Sequence, residues 1–171
     1  MRRALLLIAA ALFARVPAAA PAAPPPGTVV KSAHAQEPAR RKARPGGERP
    51  YGREGDPRKV KRAIRIDMSD AMRYFPDQVR VKKGDTVRFE LRNNGELAHE
   101  MVIGTMDELK QHAATMKQHG EIAHDDANMA HVEPGGTGRI VWHFTRAGEF
   151  YYGCLIPGHF EAGMIGTIVV R

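Results

Sequence analysis

The stretch Tyr151-Tyr152-Gly153-Cys154-Leu155-Ile156-Pro157-Gly158-His159-Phe160-Glu161-Ala162-Gly163-Met164 contains the only cysteine of the 171-residue chain. His159 follows that cysteine by five residues, and Met164 follows His159 by five. A thiolate, an imidazole and a thioether are therefore offered by one short segment. Pro157, Gly158 and Gly163 punctuate it as a tight loop. Glu149 to Cys154 reads as an aromatic strand leading in, and Met164 to Val170 as the strand leading out.

Working outward, period-two alternation recurs. Val60 to Asp67 places Ile64 and Ile66 on one face, and Gln78 to Lys82 does the same with Val79 and Val81. Thr86 to Arg92 alternates Val87, Phe89 and Leu91; Arg139 to Phe144 alternates Ile140, Trp142 and Phe144. Ala98 to Ile103 is a further strand, bearing His99. Turn signals separate them at Lys83-Gly84-Asp85, Asn93-Asn94-Gly95, Glu133 to Gly138 and Ala147-Gly148, and Met72 to Pro76 reads as a turn as well. Short strands at this spacing predict an all-β, antiparallel β-sandwich.

One insertion breaks the pattern. Thr105-Met106-Asp107-Glu108 has the form of a capping box. Met106, Leu109, Ala113 and Met116 recur at helical spacing, and Gly120 is a suitable stop. A helix is expected over 106–119, followed by a polar loop from Glu121 to Met129.

The formal charge of +7 is unevenly spread. Residues 1–59 hold 12 of the 26 Lys+Arg and 4 of the 19 Asp+Glu, which leaves 14 basic and 15 acidic groups for residues 60–171. The basicity belongs to a tail, not to a folded face with interleaved aromatics, so no nucleic-acid partner is expected. Arg2-Arg3 followed by the apolar run Ala4 to Ala14 has the layout of a secretion signal, and Ala33-His34-Ala35 supplies a small-x-small cleavage pattern. The run is too short to span a bilayer, so no stable membrane insertion is expected. Residues 1–35 are read as a signal peptide, 36–59 as a disordered basic linker and 60–171 as one domain, placed in the periplasm. A lone thiol in an exported protein needs an occupant.

His99 sits on an apolar strand just after a turn and completes the donor set with Cys154, His159 and Met164. Two imidazoles, a thiolate and a weak thioether are the ligands of a blue-copper electron-transfer site. Such a set tolerates both Cu(II) and Cu(I) and leaves no open position for substrate.

The segment from Cys154 through His159 and Met164 to Val170 resembles the last loop and strand of the cupredoxins, the plastocyanin/azurin family, and especially its azurin- and auracyanin-like members. Phe75 to Phe89 resembles the family's early strands, and Asn93 to Gly104 its first-histidine segment. The resemblance spans about residues 60–171. It implies a Greek-key sandwich, one type 1 copper held by His99, Cys154, His159 and Met164 at one end, and His159 as the point of electron entry. It also implies no enzyme activity. Two features depart from the family pattern. Glu100 stands where many relatives carry Asn, and the helical insertion resembles that of periplasmic cupredoxins linked to copper tolerance.

Within the insertion His112, Met116 and His119 fall on one helix face, and these donors would suit a second copper site. Met116 equally fits the apolar stripe. Two functions compete: an electron carrier whose redox protein partners dock around His159 on an apolar patch of Leu155, Ile156, Pro157 and Phe160, and a copper-tolerance or delivery protein. A multicopper oxidase is disfavoured because Cys154 lies between Gly153 and Leu155, not between two histidines. A monomer is expected.

Overall fold

The structure, a computed structural model, describes residues 47–119 and 126–171. The residues read as a signal peptide, the first part of the expected linker and most of the expected loop after the helix lie outside these residues. Among the described residues no helix is long and apolar enough to cross a membrane.

The strands are β1 (Arg53–Glu54), β2 (Val60–Ser69), β3 (Arg73–Phe75), β4 (Gln78–Val81), β5 (Thr86–Asn93), β6 (His99–Gly104), β7 (Met129–Val132), β8 (Thr137–His143), β9 (Gly148–Gly153) and β10 (Ile165–Val170). They form one sheet in the order β1-β8-β5-β2-β3 and another in the order β4-β10-β9-β6-β7. The sandwich expected from the alternation is present. Inward residues such as Ile66, Phe89, Leu91, Trp142, Phe144 and Ile168 form a common core, each 2% exposed or less. Strand direction differs from expectation: β2 pairs with β5, and β10 with β4, in parallel. Each parallel partner arrives from a distant part of the chain, which no local turn signal encodes. The expected turn at Met72 to Pro76 is partly strand, because Tyr74 points into the core and Arg73 to Phe75 pair with Asp67 to Ser69.

Helix α1 spans Met106–His119, the bounds expected. Its capping box forms: Glu108 Oε2 accepts the Thr105 N–H at 2.9 Å, and the Thr105 hydroxyl oxygen accepts the Glu108 N–H at 3.3 Å. Leu109, Ala113 and Met116 pack on Val102 of β6 and on Leu155, making a second apolar cluster. Burial of a side chain such as Leu109 or Met116 contributes roughly 1.5–3 kcal/mol.

The domain begins earlier than residue 60. Arg49 and Gly52 exchange two backbone hydrogen bonds, of 2.7 and 3.0 Å, and this turn swings Tyr51 inward. Gly52 has φ +125°, and a Cβ there would lie 2.1 Å from the His143 carbonyl oxygen. The Tyr51 ring stacks on Trp142 at 5.4 Å and lies 6.1 Å from Phe150. Its carbonyl accepts the Trp142 indole N–H at 3.1 Å, so that buried donor is satisfied. β1 then covers the β8 edge. The assignment of residues 47–59 to a linker is therefore corrected. One aromatic side chain and one edge strand tie down a segment whose average composition is that of a spacer.

Candidate metal centre

His99 opens β6, Cys154 follows β9, and the loop from Cys154 to Met164 leads into β10. These ends meet at one end of the sandwich. The ligand atoms of His99, Cys154 and His159 lie within 4.8 Å of one another. Cys154 Sγ is 3.3 Å from His159 Nδ1, and the two imidazole centroids are 5.0 Å apart. Met164 is fully buried and belongs to the same apolar cluster as Cys154.

The loop holds itself in shape. The Cys154 N–H donates to the Met164 carbonyl at 3.1 Å, and the Met164 N–H donates to the His159 carbonyl at 3.1 Å. Arg73 Nη1 donates to the Ala162 carbonyl at 3.0 Å, which ties the loop to the other sheet. The backbone N–H of Glu100 donates to the cysteine sulfur at 3.5 Å.

His99 is oriented by a residue that the sequence did not single out. Asp70 follows β2. Its Oδ2 accepts the Glu96 N–H at 2.7 Å, its Oδ1 accepts the Leu97 N–H at 3.3 Å, and Oδ1 stands 3.1 Å from His99 Nε2. The Glu96 amide first, and then His99 and the Leu97 amide, hold the Asp70 carboxyl below its usual range. A carboxylate can only accept, so the His99 proton sits on Nε2 and the Nδ1 lone pair faces the centre. Gly95 makes room for this arrangement, since a Cβ there would stand 1.9 Å from Asp70 Oδ1. Asn93, legible in the sequence only as part of a turn, is fully buried. It donates to the carbonyls of Leu97 at 2.7 Å and Val132 at 3.0 Å, fixing the turn before His99. Tyr74 donates its hydroxyl to the Glu100 carbonyl at 2.6 Å, one residue beyond His99. No local pattern announces Asp70 or Tyr74, which come from the end of β2 and from β3, far upstream.

The donor set can be tested for fit to a metal. His99 Nδ1 is the one buried side-chain N or O atom among the described residues that lacks a hydrogen-bond partner. Leaving such an atom unpaired is costly. It faces a sulfur and a second imidazole nitrogen. Burial, and then the neighbouring His99, lower the His159 pKa from its ordinary 6.5, which favours the neutral imidazole that binds metal. Borderline nitrogen and soft sulfur suit copper, not magnesium or calcium. The centre fits the group.

The other expected positions fare differently. Met116 is 2% exposed and packs in the second cluster, so it is a core residue as its apolar spacing allowed. His112 is half-buried on α1, and of His119 only the helical backbone is described. Of the apolar residues expected around His159, Leu155 is 1% exposed beneath α1, Ile156 and Phe160 are half-buried, and Pro157 is exposed.

The model of copper-binding proteins of the plastocyanin/azurin family matches residues 60–171. The chain is 45% identical over 169 residues to the copper-resistant cuproprotein CopI of Rubrivivax gelatinosus, covering 99% of this chain and 96% of that one. It is 32% identical over 158 residues to the protein of the same name from Pseudomonas aeruginosa, covering 75% of this chain and 87% of that one. In fold it is similar to the crystal structure of reduced auracyanin from Roseiflexus castenholzii, with a TM-score of 0.59 and 20% identity over 66% of this chain and 98% of that one. The family match runs through every strand from β2 to β10, and the chain belongs to the plastocyanin/azurin family of copper-binding proteins, the cupredoxins.

Proposed function

We propose that this chain is an exported type 1 copper protein that serves copper resistance. His99 Nδ1, Cys154 Sγ, His159 Nδ1 and the Met164 thioether hold one copper. The observation that carries the site is the convergence of the two histidines and the cysteine within 4.8 Å, with the His99 Nδ1 lone pair aimed inward. Copper supplies a Cu(II)/Cu(I) couple there. The chain's own contribution is to fix the donors before the metal arrives. Asp70 sets the His99 tautomer, the loop's backbone bonds set Cys154 against Met164, and burial excludes water. Four protein donors leave no coordination position for substrate, so the reading is a binding protein and not an enzyme.

Resistance is supported by likeness along nearly the whole chain to a relative named for it. The test is genetic and spectroscopic together. Loss of the gene should sensitise cells to copper, the wild-type gene should restore growth, and Cys154→Ser should fail to restore it. Purified wild-type protein with Cu(II) should show an intense visible thiolate-to-copper band that Cys154→Ser lacks. A colourless wild-type protein sinks the site; a copper-insensitive deletion sinks the role. Mature protein beginning near Gln36 in the periplasmic fraction would support export.

The partial exposure of His159, against full burial of the other donors, favours a second reading in which the copper passes electrons to a protein partner docked there. Fast electron self-exchange that slows with a charged residue at Pro157 would support it.

A further inference from the structure

One side chain at this centre is left over once the four donors and Asp70 are placed. Glu100 lies on β6 directly after His99 and is 2% exposed, the one buried acidic residue among the described residues. A buried carboxylate is costly unless its oxygens find donors. Oε1 accepts the backbone N–H of Leu155, the residue after Cys154, at 3.0 Å. Oε2 stands 3.9 Å from Nδ1 of His131, the residue opposite it across the β6–β7 ladder. His131 Nε2 is in turn 3.5 Å from Glu133 Oε1. The main chain of Glu100 serves the same centre, since its N–H donates to Cys154 Sγ and its carbonyl accepts from Tyr74.

An amide at this position would suffice to hold the Leu155 N–H. A carboxylate adds charge, and charge inside a region of low dielectric acts strongly on a nearby ion. Negative charge stabilises the more positive oxidation state. His131 does not shield it from the centre, because that side chain is 38% exposed and any charge there is screened by water.

We propose that Glu100 is a positioning residue of the centre: its carboxylate clamps the Cys154–Leu155 peptide and biases the site towards Cu(II) over Cu(I). This rests on the copper site described above, and the experiment separates the two. If wild-type protein with Cu(II) lacks the thiolate–copper band, the site reading has failed. Where the band is present, Glu100→Gln should retain it. The ratio of Cu(I) to Cu(II) affinity should rise by about tenfold or more, which is about 59 mV in potential for one electron. In the copper-free protein, amide exchange at Leu155 should quicken by about tenfold or more in Glu100→Ala and return towards wild type in Glu100→Gln, as expected when a local opening loses its restraint. A Glu100→Gln potential equal to wild type, or unchanged Leu155 exchange in Glu100→Ala, overturns the proposal. If neither Glu100 variant folds, Leu155 amide exchange in the copper-free wild-type protein decides it: exchange as fast as that of an unprotected amide overturns the proposal.

Discussion

Replacing Asp70 by Ala removes the acceptor that orients His99. The contact is 3.1 Å from Oδ1 to His99 Nε2. Without it nothing fixes the proton on Nε2, and the tautomer with the proton on Nδ1 blocks the lone pair that faces the centre. Loss of such an outer partner typically costs about 10–100-fold in metal affinity. The Asp70 side chain is 36% exposed, so water replaces part of what it supplies. The expectation is therefore at the low end, about tenfold weaker Cu(II) binding. Asp70→Asn keeps an acceptor oxygen and should stay within about threefold of wild type. The assay is competition for Cu(II) against a chromophoric chelator, with folding monitored by Trp142 fluorescence. If Asp70→Ala binds as tightly as wild type while folded, Asp70 does not set the His99 tautomer and the reasoning fails.

Three further outcomes are expected. Tyr51→Ala should cost about 3–5 kcal/mol, the usual loss for a buried aromatic, and lower the thermal midpoint by roughly 10 °C or more; a midpoint equal to wild type would return residues 47–59 to the linker. Burial, as the largest cause, pushes the Tyr51 pKa from 10.0 up to about 12, so the folded protein keeps the phenol neutral where the unfolded chain ionises. Its stabilising effect is complete below pH 10 and is lost as pH rises through about 12. Tyr51→Phe should erode less across that window in alkaline denaturation, and an identical curve would contradict the burial. Gly95→Ala should both weaken copper binding and destabilise the fold by about 1–3 kcal/mol, because the new methyl collides with Asp70. Gly47→Ala, where nothing lies within 4 Å, should do neither in the same chelator and melting assays.

The parts legible in the sequence were those encoded by local pattern. Alternation in Val87-Phe89-Leu91 and Ile140-Trp142-Phe144 marks strands, and the capping box at Thr105 marks the start of the helix at Met106. The donors of the last loop were legible because three of them share one short segment. What stayed hidden depends on distance. Asp70 meets His99 across 29 positions, and Tyr74 meets Glu100 across 26. Tyr51 meets Asn128 across 77 positions and lies in a stretch of charged and small residues that reads as spacer. β7 was missed because Met129–Val132 is too short for alternation to stand out beside the polar run before it.

The parallel pairing of β10 with β4 bears on when the copper can be chosen. Met164 immediately precedes β10, which pairs with the preceding β9 on one side and, on the other, with Gln78 to Val81, laid down about half the chain earlier. Such remote pairings close late, because the chain must surrender its loop entropy first. His99 and Cys154 are carried by the paired neighbours β6 and β9, but until the last strand docks Met164 has no fixed place beside them, and the donor set is incomplete. A chain threaded unfolded across a membrane would therefore carry no finished site in the compartment of its synthesis. Selectivity among metals then falls to wherever the final strand closes, and to whatever copper that compartment holds at that moment.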